Sequence, residues 1–260
     1  MSTDPGGART APEPAGQADD PTAGGAAPAG TLATAAVPAR VRRRATGRRR
    51  SWVVDGAQRT GRRLSAAAFD LEVRGREHVP ATGPVLLASN HAGFLDGPLV
   101  FLLAPRPASV LTKSELFVGP LARALGWLGQ IPVHRGTPDR RALRQALDVL
   151  EAGGALGVFP EGTRGTGRLE QVNDGLGWLA LRSGAPVVPI AVLGSAEAMP
   201  RGARLPRWRA PVRVVFGAPV HVDVAGDPRA RRTVRAAGEQ LRLALLAHLE
   251  SASSTEETAP

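Results

Sequence analysis

Short apolar runs alternate with segments of helical periodicity between residues 71 and 250, and this alternation is the strongest constraint on the fold. Strands alternating with helices require crossover connections, which place neighbouring strands parallel and cover the sheet with helices. The sequence therefore predicts an α/β fold with a central, mainly parallel or mixed β-sheet flanked by helices. The predicted strands are 85–90, 108–113, 131–135, 155–161, 186–194 and 212–217, and the predicted helices are 56–70, 96–104, 115–129, 138–153, 175–184 and 228–250.

The composition changes along the chain and predicts four segments. Residues 1–38 are almost entirely small or polar and cannot bury enough apolar surface to fold, which predicts a disordered tail. Residues 39–70 predict a basic segment followed by a short amphipathic helix that faces a membrane. Residues 71–250 form the predicted folded domain, and residues 251–260 a second, short tail.

The charge and the cysteine content narrow the function. The formal net charge is +10, and residues 39–63 hold ten arginines against one acidic residue, Asp55. Such a run suits an anionic membrane surface, nucleic acid or a solvated linker. With aromatic residues at 4% and no tyrosine, base stacking is disfavoured, so no nucleic-acid partner is expected. The absence of cysteine excludes disulfides, thiolate metal ligands and a cysteine nucleophile.

The sequence predicts neither a membrane-spanning helix nor a secretory signal. No run of 18 apolar residues occurs, and the first residues lack the charged and apolar regions of a secretory signal. We therefore expect a cytoplasmic protein that associates peripherally with the inner face of a membrane.

A histidine and an aspartate follow the first predicted strand. His91 and Asp96 are five residues apart in Asn-His-Ala-Gly-Phe-Leu-Asp, a spacing that places His at a strand end and Asp at the start of the next helix. Ligands of parallel sheets bind at the carboxyl ends of the strands, where this segment lies. A carboxylate that is hydrogen-bonded to one imidazole nitrogen orients the other nitrogen to act as a base. A helix-capping Asp96 and a packed His91 remain the alternative.

Two further clusters follow predicted strands. Residues 159–164, Phe-Pro-Glu-Gly-Thr-Arg, offer turn amides, a hydroxyl and a guanidinium that suit a phosphate. Residues 129–135 end in Arg135, which leaves its strand toward the same edge. Taken separately, an ordinary turn and a surface arginine are the alternative readings.

Taken together, the clusters resemble the conserved blocks of the glycerolipid acyltransferase superfamily, and most closely the 1-acylglycerol-3-phosphate O-acyltransferase (lysophosphatidate acyltransferase) family. The first block has the form Asn-His-x4-Asp, and the third is reproduced in full. One departure lies downstream of the third block, where relatives carry an aromatic and a basic residue and this chain has Asn173-Asp174. The blocks correspond to residues 90–96, 129–135, 159–164 and 185–190.

The resemblance implies a role for each site residue. His91 would be the general base and Asp96 the residue that orients it. The acceptor and its phosphate would be bound by Arg135, Glu161, Gly162, Thr163 and Arg164. The residues linked to the acyl donor or to support of the site would be Asn90, Lys113 and Pro189.

The resemblance also implies a reaction in phospholipid biosynthesis. A fatty acyl group would pass from acyl-CoA or acyl carrier protein to the hydroxyl of a lysophospholipid, 1-acyl-sn-glycerol-3-phosphate, giving phosphatidic acid. No metal and no cofactor is expected beyond the thioester co-substrate. Partners would be an anionic membrane surface, the two substrates and acyl carrier protein. Asn173-Asp174 leaves other hydroxyl or amine acceptors open, and a basic binding protein without catalysis is the further alternative.

Overall fold

The computed structural model describes residues 46–134, 139–162, 167–170 and 172–254, with side chains from Trp52 onwards. The predicted tail at 1–38 lies outside the described residues, as do the first residues of the basic segment and the last residues of the predicted C-terminal tail. Three site candidates, Arg135, Thr163 and Arg164, also lie outside them.

A seven-stranded sheet forms the centre of the described chain, in the order β1-β7-β6-β2-β5-β3-β4. Strands β2 to β6 are parallel to one another, while β7 pairs antiparallel with β6 and parallel with β1. The predicted mainly parallel α/β sheet is confirmed. The strands are β1 (Asp70–Arg74), β2 (Val85–Ser89), β3 (Ala108–Lys113), β4 (Ile131–Val133), β5 (Ala155–Val158), β6 (Val187–Leu193) and β7 (Pro211–Phe216).

Helices cover both faces of this sheet. The helices are α1 (Thr46–Ala68), α2 (Asp96–Leu103), α3 (Gly119–Trp127), α4 (Arg140–Glu151), α5 (Asp174–Ser183), α6 (Ser195–Ala198) and α7 (Arg231–Ser254). Strand β2 shows how the two faces are divided. Its Leu87 packs with α2 residues such as Leu99, whereas the adjacent Leu86 packs with α4, α5 and α7. The alternation buries every residue of this central strand.

Helix α1 begins earlier than the predicted 56–70 and is tied to the domain. Gln58 is 1% exposed and its Nε2 donates to the carbonyl oxygen of Phe101 at 2.7 Å. Val54 packs against Phe101 and Val110. The opposite side of α1 is exposed. Within the described part of the chain, no helix has the length and apolar character needed to cross a bilayer.

Two predicted boundaries are corrected. The helix predicted over 115–129 is a short 3-10 turn, Ser114–Leu116, followed by α3, because Pro120 has no amide hydrogen and suits only a helix start. The tail predicted at 251–260 is wrong for its first residues, since α7 extends through Ser254. Ala252 is buried and its carbonyl accepts a hydrogen bond from Arg213 Nη1 at 3.4 Å, which holds this last turn.

Candidate active site

The first cluster leaves β2 at the carboxyl edge of the sheet, between β5 and β6. Asn90 anchors this exit to the neighbouring strand. Its Nδ2 donates to the Val192 carbonyl at 2.9 Å, and the Val192 amide donates to Asn90 Oδ1 at 2.8 Å. The two bonds continue the sheet's pairing through a side chain and fix where the following residue begins.

The structure brings His91 and Asp96 into direct contact. His91 Nδ1 lies 3.0 Å from Asp96 Oδ2, and the Gly93 amide donates to the same oxygen at 2.8 Å. Asp96 is fully buried and His91 is 7% exposed. No side-chain bond of Asp96 caps α2, whose N-cap residue is Leu95. The carboxylate is therefore directed at the histidine and its turn.

A serine distant in sequence completes the surroundings of this carboxylate. Ser195, the first residue of α6, donates from Oγ to Asp96 Oδ1 and is 1% exposed. Gly93 makes this contact possible, because a Cβ there would lie 2.8 Å from Ser195 Oγ. Sequence reasoning did not identify Ser195. The available signal was its place directly after β6, the strand paired with β2 on the side opposite β5.

Glu161 reaches the histidine from the end of β5. Its Oε1 accepts the His91 backbone amide at 2.9 Å, and the Gly167 amide also donates to this carboxylate. Burial raises the pKa of Glu161 above its usual value, and the two amide donors oppose that rise. The carboxylate thus faces the backbone of the first cluster.

The turn that carries Glu161 is stabilised by Asn173, one of the two residues at which this chain departs from its relatives. The Gly162 amide donates to the Phe159 carbonyl at 3.0 Å, and Gly162 has a positive φ of 69° that suits glycine. Both the backbone amide and the Nδ2 of Asn173 donate to the Pro160 carbonyl, at 2.9 and 3.1 Å. Asn173 therefore stabilises the turn. The Phe159 ring lies 4.5 Å from the His91 ring, centroid to centroid.

Lys113 and Pro189, which the resemblance links to the acyl donor, lie on strands on opposite sides of β2. Lys113 ends β3, and its Nζ lies 3.1 Å from Glu115 Oε1. Pro189 is buried within β6, where its carbonyl accepts the Gly217 amide at 2.8 Å. Neither residue lines the cavity that Asn90 and Gly93 help to form, and their link to an acyl donor stays a prediction.

A cavity of about 760 Å³ is lined by Asn90 and Gly93, which flank His91 in the first cluster, although neither His91 nor Asp96 lines it. This volume lies within the range of small-ligand sites. The described residues contain no group of three or more His, Cys, Asp or Glu side chains arranged to hold a metal ion. Residues that line the cavity include Asn90, Gly93, Phe94, Ser195, Met199 and Arg201.

The Asn-His-x4-Asp turn at the carboxyl edge of the sheet and the buried His–Asp pair are the features on which the resemblance to the glycerolipid acyltransferases rests. Residues 70–193 match the family model described as Acyltransferase. That stretch runs from β1 to the end of β6 and is similar to the acyltransferase family.

Known proteins of this class are similar to the chain. It is 30% identical over 161 residues to 1-acyl-sn-glycerol-3-phosphate acyltransferase LPAT1, chloroplastic, of Arabidopsis thaliana, over 59% of this chain and 44% of the relative. It is 36% identical over 140 residues to the lyso-ornithine lipid O-acyltransferase of Pseudomonas aeruginosa, over 52% of each protein.

A solved structure shows the same fold. The crystal structure of the 1-acyl-sn-glycerophosphate (LPA) acyltransferase PlsC from Thermotoga maritima matches with a TM-score of 0.60 and 26% identity, over 81% of this chain and 83% of that one. The chain spans less than half the length of the Arabidopsis relative, 44%.

Proposed function

We propose that this protein is an O-acyltransferase that moves a fatty acyl group from a thioester to the hydroxyl of a lysophospholipid. The acceptor that the relatives favour is 1-acyl-sn-glycerol-3-phosphate, with phosphatidic acid as product. The observation that carries the proposal is the buried contact between His91 and Asp96, in a stretch that matches the acyltransferase family model.

His91 acts as the general base in this proposal. In the tautomer that we propose, His91 Nδ1 carries the proton and donates it in a hydrogen bond to Asp96 Oδ2, and Nε2 carries the lone pair. Nε2 takes the proton of the acceptor hydroxyl while the oxygen attacks the thioester carbonyl. When the tetrahedral intermediate collapses, the carbon–sulfur bond breaks and His91 returns its proton to the leaving thiolate. The products are an ester and a free thiol. Proton transfer of this kind contributes about 10²–10⁴-fold to a rate.

Glu161 and Ser195 are positioning residues in this mechanism. Glu161 fixes the backbone at His91, and Ser195 fixes the rotation of the Asp96 carboxylate that orients the imidazole. A carboxylate that accepts amides is poorly suited to bind a phosphate, because like charges repel. We assign the phosphate instead to the predicted cationic and hydroxyl groups of Arg135, Thr163 and Arg164.

The acceptor has a second candidate, a lyso-ornithine lipid. Two observations favour it. Relatives of the lysophosphatidate group carry a basic residue where this chain has Asn173-Asp174, and Asn173 serves the turn rather than an anion. The Pseudomonas relative named for lyso-ornithine lipid is 36% identical over the aligned 140 residues.

A panel of acceptors tests both candidates. Thiol release from long-chain acyl-CoA and from acyl carrier protein would be followed with 1-acyl-sn-glycerol-3-phosphate, lyso-ornithine lipid, an amine and no acceptor. Release that depends on the phosphate acceptor supports the first candidate, and release with lyso-ornithine lipid alone supports the second. No release with any of these acceptors would refute both candidates and favour a binding protein or a different acceptor. The same panel identifies the thioester donor.

We also propose that the protein binds the inner face of an anionic membrane through its basic N-terminal region. Arg59 and Arg63 of α1 are exposed, whereas Gln58 of the same helix is buried. Removing residues 1–45 keeps α1 in place and should weaken sedimentation with anionic vesicles, as should Arg59→Gln with Arg63→Gln. Sedimentation that matches the full chain in both cases would contradict this part of the proposal.

A further inference from the structure

The connection from α6 to β7, residues 199–210, presents large apolar side chains to solvent at the rim of the cavity. Leu205 is 80% exposed and Trp208 is 73% exposed. The first part of the same connection, from Met199 to Ala203, lines the cavity itself. Two such side chains lie three residues apart in one connection, and exposed apolar surface of this kind marks an interaction site.

The same connection is strongly basic. Its sequence, Met-Pro-Arg-Gly-Ala-Arg-Leu-Pro-Arg-Trp-Arg-Ala, contains no acidic residue. Arginines therefore alternate with the exposed apolar residues along the chain, and all four are exposed. They are Arg201, Arg204, Arg207 and Arg209.

The backbone on either side of Trp208 is fixed. The Arg207 amide donates to the Ala198 carbonyl at 2.7 Å, and the Arg209 amide donates to the Ala68 carbonyl at 2.7 Å. These bonds tie the connection to the ends of α6 and α1. Trp208 is exposed because the backbone holds it outward, at little cost in ordering entropy when it binds.

We propose that residues 199–210 insert into the interface of an anionic lipid bilayer and seat the cavity mouth on it. This inference rests on the proposed function, because a lipid acceptor has to leave a bilayer to reach His91. Tryptophan prefers the headgroup region, and arginine is attracted to anionic lipids. Phe94 of the first cluster is 43% exposed and lines the same cavity as Met199 and Ala203 of this connection.

An acidic carrier protein is the competing partner for a basic surface. The apolar residues decide between the two. A protein recognised by charge alone needs no exposed Leu205 and Trp208, whereas a bilayer interface buries both.

Vesicle sedimentation of the full chain tests the proposal, with vesicles of phosphatidylglycerol and of phosphatidylcholine. Leu205→Ala with Trp208→Ala should weaken binding to the anionic vesicles about tenfold, the effect of losing two partly buried apolar side chains. Arg204→Gln with Arg207→Gln should weaken it about 25-fold, at about fivefold for each arginine. The control is Trp127→Ala, since this tryptophan is 70% exposed and lines a different pocket at the starts of β3 and β5.

A second measurement does not depend on the variants folding equally well. A quencher attached to the lipid acyl chains should quench part of the wild-type tryptophan fluorescence, and that part should be lost in Trp208→Phe. Equal quenching in wild type and Trp208→Phe, or unchanged sedimentation of both double variants, would overturn the proposal. A loss of turnover with acyl carrier protein alone, at unchanged vesicle binding, would overturn it in favour of carrier docking.

Vesicle sedimentation and fluorescence quenching need no turnover, so both measurements remain valid if the acceptor assignment fails. If the proposed function holds as well, Leu205→Ala with Trp208→Ala should raise KM for vesicle-borne acceptor. The rate with a water-soluble short-chain acceptor should stay that of the wild type.

Discussion

Replacing Ser195 with alanine tests whether the carboxylate of the His–Asp pair has to be held from behind. The change removes the hydroxyl that donates to Oδ1 of a fully buried Asp96 and leaves the contact between His91 and Asp96 Oδ2 in place. A hydrogen bond to a charged group contributes about 1.5–3 kcal/mol. If the whole contribution is lost where the imidazole becomes charged, kcat falls about 10- to 150-fold. KM for the acceptor should hold, because Ser195 acts through Asp96.

Steady-state thiol release at saturating donor gives kcat and KM for this variant. Ser183→Ala is the control, because its Oγ donates to the Leu179 carbonyl at 2.6 Å on α5 and not to the site. The double variant Ser195→Ala, Asp96→Asn distinguishes a positioning role from a general loss of packing. It should be no slower than Asp96→Asn alone, because Ser195 acts through that carboxylate. Unchanged kcat in Ser195→Ala, or additive losses in the double variant, would refute the reasoning.

Three other predictions concern stability. Burial raises the pKa of Glu161, so the folded state holds the carboxyl proton more tightly than the unfolded chain does. The free energy of unfolding should therefore fall as pH rises above 4.5. Urea titrations of Glu161→Gln should lack this pH dependence. Asp139 caps α4, and the backbone amides that donate to its carboxylate lower its pKa to about 2. Asp139→Ala should lower the free energy of unfolding by about 1 kcal/mol at pH 7, and by progressively less as pH falls from 3.8 toward 2. Asp148→Ala, at an exposed position of the same helix, is the control. Gly177→Ala should destabilise the protein by about 1–3 kcal/mol, because its Cβ would lie 2.6 Å from a carbonyl oxygen of α7. Gly126→Ala in α3 should stabilise the protein by about 1 kcal/mol, because its Cβ would meet no atom within 4 Å. Equal unfolding midpoints of the two variants would contradict this prediction.

The central sheet could be predicted from the sequence because its strands are buried on both faces. Such strands appear as continuous apolar runs, and Val85–Ser89, which is buried at every residue, lies within the predicted 85–90. Strand β1 was missed, since Asp70–Arg74 is a half-exposed edge strand with charged residues at alternate positions. Its place depends on pairing with β7, far along the chain.

The candidate site divides in the same way. His91 and Asp96 are close in sequence, so their spacing alone suggested the contact that the structure contains. The contacts of Ser195 with Asp96, and of Glu161 with the His91 amide, join different strand ends. They follow from which strands are neighbours in the sheet, and that order is not encoded in local spacing.

The role of His91 is the central claim, and one measurement addresses it most directly. Purified His91→Ala would be compared with wild type in acceptor-dependent thiol release from acyl-CoA, with thermal unfolding of both proteins as the check on folding. Loss of the general base predicts a fall in kcat of at least about 100-fold at an unfolding midpoint close to that of the wild type. Release at the wild-type rate by a folded His91→Ala protein would contradict the account.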